Sequence, residues 1–167
     1  MRFENMSSAN INIAVKLVNK CFISKVDRNT AIFWYKEFAT PDFKKRWPHL
    51  HYLTYQIVYD RNRAIGLTGI YSHKFKKERA WLGWFGVIPE ERRKGFGSSA
   101  LRKTVDAARN RGYREFKIWT DAGDKSAINF YKRNGFRKSR REKNVVYNEK
   151  LIFRYPKNAV FYSKILG

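Results

Sequence analysis

The chain has 167 residues and a mass of 19.9 kDa, which suits one compact core and leaves little room for two. A hydrophobic content of 43% with 17% aromatics excludes wholesale disorder, no stretch approaches the roughly 18–20 unbroken apolar residues of a membrane helix, and the start MRFENMSSAN lacks the apolar centre of a signal peptide, so a soluble, cytoplasmic protein is expected. The net charge of +22, from 36 Lys+Arg against 14 Asp+Glu, attracts polyanions and repels cationic ligands.

Ile11, Ala14, Val15, Leu17, Val18 and Phe22 recur at three- and four-residue spacings and predict an amphipathic helix, followed by a second helix around Thr30 to Phe38. The aromatic and β-branched run from His51 to Tyr59, the polar turn Asp60–Arg63 and the run from Ala64 to Tyr71 read as a β-hairpin. Ala80 to Val87 (AWLGWFGV) reads as one buried strand that Pro89 ends, because proline lacks the next ladder donor. Its alternation places Trp81, Gly83 and Phe85 on one face and Leu82 and Trp84 on the other, with at most one tryptophan left over for a pocket. Residues 97–111 predict a helix with Leu101, Val105 and Ala108 on its apolar face and Gly112 as its C-terminal cap. Glu115 to Thr120 is a strand, Asp124 an N-cap, and Lys125 to Asn134 a helix stopped by Gly135. The tail from Val145 to Leu166 holds apolar stretches on both sides of Pro156 and predicts two more strands. No linker, repeat or composition shift divides the chain, and residues 1–167 are read as one domain.

Cys21 is the only cysteine, which excludes an internal disulfide, a zinc ribbon and a paired-thiol motif and fits a reducing compartment. His49 and His51, two apart with no acidic residue close by, make a weak metal pattern, and no metal is expected. Between Arg92 and Lys143 the chain carries 17 Lys+Arg against 5 Asp+Glu, so the positive field is concentrated in the second half. The run Arg137–Lys143 reads as a solvated surface or as an RNA contact.

The strand at Ala80–Val87 leads through Ile88-Pro89-Glu90-Glu91 into Arg92-Arg93-Lys94-Gly95-Phe96-Gly97 and then straight into a helix. A Gly-rich loop at such a junction suits phosphate: the N–H groups of the first helical turn lack partners, the helix dipole is positive there, and glycine lets the backbone approach closely. An ordinary tight turn with solvated arginines has the same spacing. The GxxxxGK loop followed by Ser or Thr is absent, as is the GxGxxG spacing of dinucleotide folds.

The residues V-I-P-E-E-R-R-K-G-F-G at 87–97 resemble the coenzyme A signature of the GNAT superfamily of acetyl-CoA-dependent N-acetyltransferases, in which Gln or Arg is followed at fixed spacing by Gly and then by Gly or Ala. Arg92, Gly95 and Gly97 fill those positions, and A-I-N-F-Y-K-R-N-G-F at 127–136 resembles the family's later A-x-x-x-Y-x-x-x-G-F segment. The resemblance covers about residues 80–136. It implies an α/β (α+β) fold with a mixed, mostly antiparallel sheet of about six or seven strands and about four helices.

It further implies that the backbone N–H groups of Arg93, Lys94, Gly95, Phe96 and Gly97, together with Ser98, cradle the coenzyme pyrophosphate, with charge added by Arg92 and Lys94. Phe85, Gly86 and Val87 would pair with the pantetheine arm, an N–H near Val87 would polarise the thioester carbonyl, and Tyr131 would protonate the departing thiolate. Packing of the helix onto the sheet is the other reading of Tyr131. Asp124 stands where many members carry an asparagine that contacts pantetheine, and it reads equally as a simple helix cap. Direct transfer needs no nucleophile, so Cys21 is read as a bystander. AWLGWFGV carries no carboxylate, leaving Glu78, Glu90, Glu91, Asp121 and His73 as candidate bases beside a water chain or an amine of low pKa. The implied activity is acetyl transfer from acetyl-CoA to a primary amine in a ternary complex, in a monomer or homodimer. The acceptor would be a protein N-terminus, an amino acid or an amine associated with nucleic acid or the ribosome. The competing reading is a non-enzymatic module of the same fold that docks on RNA through its basic surface.

Overall fold

A computed structural model describes residues Met1–Gly167. Helix α1 (Ile11–Cys21) buries Ala14, Leu17, Val18 and Cys21, the three- and four-residue repeat that one helix face requires. Helix α2 (Lys25–Phe38) begins before the expected Thr30: its first turn is polar and carries no apolar period, but the Ser24 side chain accepts from the Asp27 N–H and caps it. A short helix α3 (Phe43–Arg46) precedes the hairpin.

Strand β1 (Arg2–Asn5), which has no counterpart in the sequence reading, lies antiparallel to β2 (Leu50–Asp60). Strand β2 pairs with β3 (Arg63–His73) as the expected hairpin. The single strand expected over Ala80–Val87 is two: β4 (Arg79–Leu82) and β5 (Gly86–Val87). Then follow a 3₁₀ turn at Pro89–Glu91, α4 (Phe96–Asn110), β6 (Glu115–Asp121), α5 (Lys125–Arg133) and β7 (Arg137–Ser139). The tail forms three strands rather than two: β8 (Val145–Tyr147) and β9 (Lys150–Phe153) make a separate hairpin, and β10 (Ala159–Ile165) returns to the main sheet. Asn148 and Glu149 turn that hairpin with positive φ values of 48° and 63°, the geometry of a two-residue turn that matches strand twist.

The main sheet runs β1-β2-β3-β4-β6-β10-β7, with β5 on β3, and only β4 and β6 are parallel. Helices α4 and α5 cover one face, where Thr68 meets Thr104 of α4 at 2.8 Å and Ser72 meets the Tyr113 hydroxyl at 2.7 Å. Helices α1 and α2 cover the other face over β1–β3 and β5, packing Leu17, Val18, Ala31 and Tyr35 on Tyr55, Ile57 and Leu67. Farther along that second face, the β8–β9 hairpin and Tyr155 close over Trp81, Phe161 and Trp119. The Tyr55 ring occupies the space that side chains at Gly69 and Gly83 would need, since Cβ atoms there would stand 2.5 and 2.9 Å from it.

The cations of the basic run Arg137–Lys143 are exposed, as a solvated face requires, but Arg141 and Glu142 within it are also tied into the fold. Arg141 donates to the carbonyl oxygens of Pro156 at 2.7 Å and Ala159 at 2.8 Å. Glu142 takes Lys76 at 2.7 Å, Arg79 at 3.0 Å and the almost fully buried Lys117. These cations hold the Glu142 carboxyl below the usual range against the opposing effect of burial. Removing the carboxylate leaves Lys117 charged and uncompensated inside the protein, a loss of about 3 kcal/mol. Glu142→Gln therefore lowers the thermal midpoint by about 10 °C, measured by circular dichroism at neutral pH, while exposed Glu149→Gln leaves it unchanged.

Candidate active site

The parallel ladder between β4 and β6 ends early. Arg79, Ala80 and Trp81 pair with Glu115, Phe116 and Lys117, after which β5 pairs only with β3 and β6 continues only with β10. Between 83–87 and 118–121 the sheet is therefore open, and each strand turns an edge of backbone polar groups toward the gap. Gly83 donates to the Gly69 oxygen at 2.8 Å, drawing the chain after β4 toward β3. Behind the gap, the Phe85 ring stacks on Phe130 of α5 with centroids 5.8 Å apart. Trp84 turns to the other face against Phe22, just past the end of α1. The regular alternation expected for one long strand stops at Leu82.

At the end of β5 the expected loop takes shape. Arg93 and Gly95 have φ values of 62° and 85°, and Gly95 is the N-cap of α4 with open space where a Cβ would stand. Ser99 donates to the Gly95 oxygen, but no N–H from Arg93 to Ser98 finds a partner within the protein. These donors converge at the positive end of a helix dipole, the arrangement an anionic diphosphate requires. Gly97 packs flat beneath Phe130, whose ring would lie 3.4 Å from an added Cβ.

The side chains divide differently from the simplest expectation. Arg92 donates through Nε to the Val87 oxygen and through Nη2 to the Cys21 oxygen, both at 2.9 Å, and so fastens β5 to the end of α1. Lys94 pairs with Glu91 at 3.0 Å, and Glu91 also holds Arg63 at 2.7 Å. Arg93 makes no ion pair. Cys21 lies directly behind the loop: a Cβ on Gly86 would come within 2.9 Å of its own Cβ. Burial pushes its thiol up to about 12, so the group is a packing element that stays protonated.

Tyr131 sits on α5 in contact with Phe130 and Phe136, with centroids 5.4 and 6.2 Å away. Burial, reinforced by Asp124, pushes its hydroxyl well above its ordinary value, which keeps the proton in place. Asp124 itself accepts from the Ala127 N–H at 2.9 Å and caps α5. The candidate bases lie apart and engaged elsewhere. Glu78 faces Arg114 at the surface, Glu90 lies 3.6 Å from Lys20, Glu91 is doubly paired, and Asp121 holds Gly123 and Asn158. His73 stacks between His49 and Phe75. Trp119 lies on the β6 side of the gap and Lys117, held by Glu142, on the last rung before it, although sequence reasoning gave none of the three a role; the one available signal was that Glu142 is the sole acid in a run of cations.

The chain belongs to the acetyltransferase (GNAT) family, whose family model matches residues 16–136. It is 24% identical over 123 residues to N-alpha-acetyltransferase 30 of Schizosaccharomyces pombe, covering 72% of this chain and 79% of that one. In fold it is similar to a protein from Desulfovibrio desulfuricans described as an acetyltransferase of the GNAT family, with a TM-score of 0.75 and 16% identity over 99% of both chains. It is also similar to the PaiA N-acetyltransferase of Thermoplasma acidophilum solved with coenzyme A, with a TM-score of 0.67 and 13% identity over 99% of both chains. The protein is an acetyl-CoA-dependent acetyltransferase.

Burial and the charges of His49 and Lys76 push His73 down to about 4. Between that value and about 6.5 the unfolded chain binds a proton that the folded protein refuses, so stability falls as pH falls, by about 3 kcal/mol for this group. Thermal melts across that range show a midpoint dropping with acidification, and His73→Phe flattens much of the dependence.

Proposed function

We propose that the protein transfers an acetyl group directly from acetyl-CoA to the α-amine of a protein N-terminus. The observation that carries the coenzyme half is the unbroken set of unpartnered N–H groups from Arg93 to Ser98 at the start of α4. Those donors hold the pyrophosphate, with Arg93 and Lys94 adding charge and Arg92 keeping the loop seated on α1 and β5. The unpaired edge at Phe85, Gly86 and Val87 takes the amide groups of the pantetheine arm and offers a donor to the developing oxyanion. Tyr131 keeps its proton until a thiolate departs beside it. Acetyl-CoA supplies the activated acyl carbon, and no covalent enzyme intermediate is needed.

The acceptor half rests on the missing base. With each candidate carboxylate already engaged in an ion pair or a hydrogen bond, the enzyme favours an amine that reaches neutrality unaided. An α-amine, of pKa about 8, is partly neutral near pH 7.5, whereas a lysine or polyamine amine, of pKa about 10, is almost wholly charged. The positive surroundings deepen that difference and repel polyamines. The similarity to an N-alpha-acetyltransferase points the same way. Net charge alone speaks for the RNA-docking reading. The single buried thiol fits a cytoplasmic setting.

Calorimetric titration of acetyl-CoA tests the cradle. Gly95→Asp abolishes binding, while Gly95→Asn, which tolerates the same positive φ without the charge, weakens it by about tenfold or less. Equal affinity in the Asp variant refutes the assignment. Tyr131→Phe lowers kcat by at least about tenfold with unchanged coenzyme affinity, measured with peptides of free N-terminus. A preference for spermidine over those peptides overturns the acceptor assignment.

A further inference from the structure

Beside the open part of the sheet, a cleft of about 270 Å³ runs under the base of the β8–β9 hairpin, lined by His73, Phe75, Trp81, Lys143, Val145 and Tyr155 among others. Two of its lining residues carry buried polar atoms with no partner: Nε1 of Trp81, a residue 1% exposed, and Nδ1 of His73, 6% exposed. Trp81 is held edge and face by Tyr71, Tyr155 and Phe161, so its indole N–H cannot turn elsewhere for an acceptor. An indole N–H only donates, and a buried donor without a partner is costly. Whatever completes this cleft therefore brings a hydrogen-bond acceptor.

The charge around it narrows the choice. Glu142 and Lys76 line the cleft too, but the Glu142 carboxylate is neutralised by Lys76, Arg79 and Lys117, whereas Lys143 lines the cleft with no carboxylate of its own. Positive charge is in excess, which repels an ammonium and receives an anion. Position completes the argument. Trp81 forms the last rung of the β4–β6 ladder, so this one wall of the cleft stands two residues before the start of the gap, where acetyl transfer is proposed.

We propose that this cleft is a carboxylate subsite of the acceptor site, in which the Trp81 N–H, His73 and Lys143 receive a carboxylate while the acceptor's amine lies in the adjoining gap. The inference rests on the acetyl-transfer reading for the amine's position but not for the carboxylate's binding. The carboxylate comes either from an acidic side chain near a peptide N-terminus or from a free amino acid. Entry requires the hairpin to lift, because the indole nitrogen is shut off from solvent when the hairpin is closed.

The test has a readout that does not need turnover. Among the five indole N–H signals in a ¹H–¹⁵N spectrum, the Trp81 signal is identified by its loss in Trp81→Phe. Titration with glutarate shifts that signal saturably, glutaramide does not, and Lys143→Gln weakens the glutarate effect several-fold. An unmoved Trp81 signal, or equal effects of glutarate and glutaramide, overturns the subsite and leaves water as the occupant. In kinetics, a peptide with Glu near its N-terminus shows a KM about tenfold below its Gln counterpart if the source is a side chain, and free glutamate is the better acceptor if it is an amino acid. Trp81→Phe removes the preference with acetyl-CoA affinity intact. Retention of the preference in Trp81→Phe also overturns the assignment. A glutarate response in a protein that acetylates neither peptide N-termini nor free amino acids leaves the subsite standing and overturns the acceptor assignment instead.

Discussion

The short parallel ladder between β4 and β6 governs the rest of the molecule. Three rungs join them, and then the strands part because the continuation of β4 is claimed from two other directions. Gly66 and Leu67 of β3 take Val87 and Gly86 into their own ladder, and Cys21 at the end of α1 seats on Gly86 so closely that no larger residue fits. Arg92 then ties the same two elements together through their carbonyl oxygens. Unpaired backbone inside a sheet is unfavourable by itself. Its persistence here reflects packing on α1 and on the Phe85–Phe130 stack, and the exposed edges suit an extended amide-bearing ligand.

Electrostatics in the site follow a division of labour between backbone and side chains. In the proposed reading phosphate recognition falls to N–H groups, which need no titration and little reorganisation, whereas Arg92, the first cation of the signature, acts as a structural clamp. Carboxylates near the site are engaged in structural roles: Glu91 organises the loop, Glu142 neutralises buried Lys117, and Asp121 and Asp124 accept hydrogen bonds from neighbouring backbone N–H groups. In the proposed reaction a tyrosine that retains its proton serves the departing thiolate, and selectivity rests on the intrinsic basicity of the incoming amine.

Much of the second half was legible in the sequence, because local signals and tertiary structure agree there. The N-cap at Asp124, the glycine stops at Gly112 and Gly135, and the apolar period of α4 all act within a few residues. The Gly-rich loop was legible for the same reason: Gly95 and the helix start it caps are adjacent. What the sequence concealed depends on distant partners. The break between β4 and β5 comes from competition with β3 and α1, β1 is a strand only because β2 offers an edge, and the role of Arg141 and Glu142 depends on carbonyls and cations that the fold brings from elsewhere. A basic run read along the chain looks like solvated surface, and its cations are exposed; what the reading missed is that Arg141 and Glu142 within it fasten a hairpin.

That hairpin shares no ladder hydrogen bond with the main sheet. It leaves after β7 and the chain rejoins at β10, two strands that are themselves neighbours, so the segment between Ser139 and Ala159 is an excursion from an otherwise closed ladder. Changes in its length or composition leave the register of β6, β10 and β7 untouched, provided the fastening at Arg141 and Glu142 survives. The architecture thus separates what must stay constant from what is free to diverge. In the proposed reading coenzyme recognition rests on the sheet and α4, and the cover over the opposite side is the part free to diverge, apart from Val145 and Tyr155, which pack on Trp81 and Phe161.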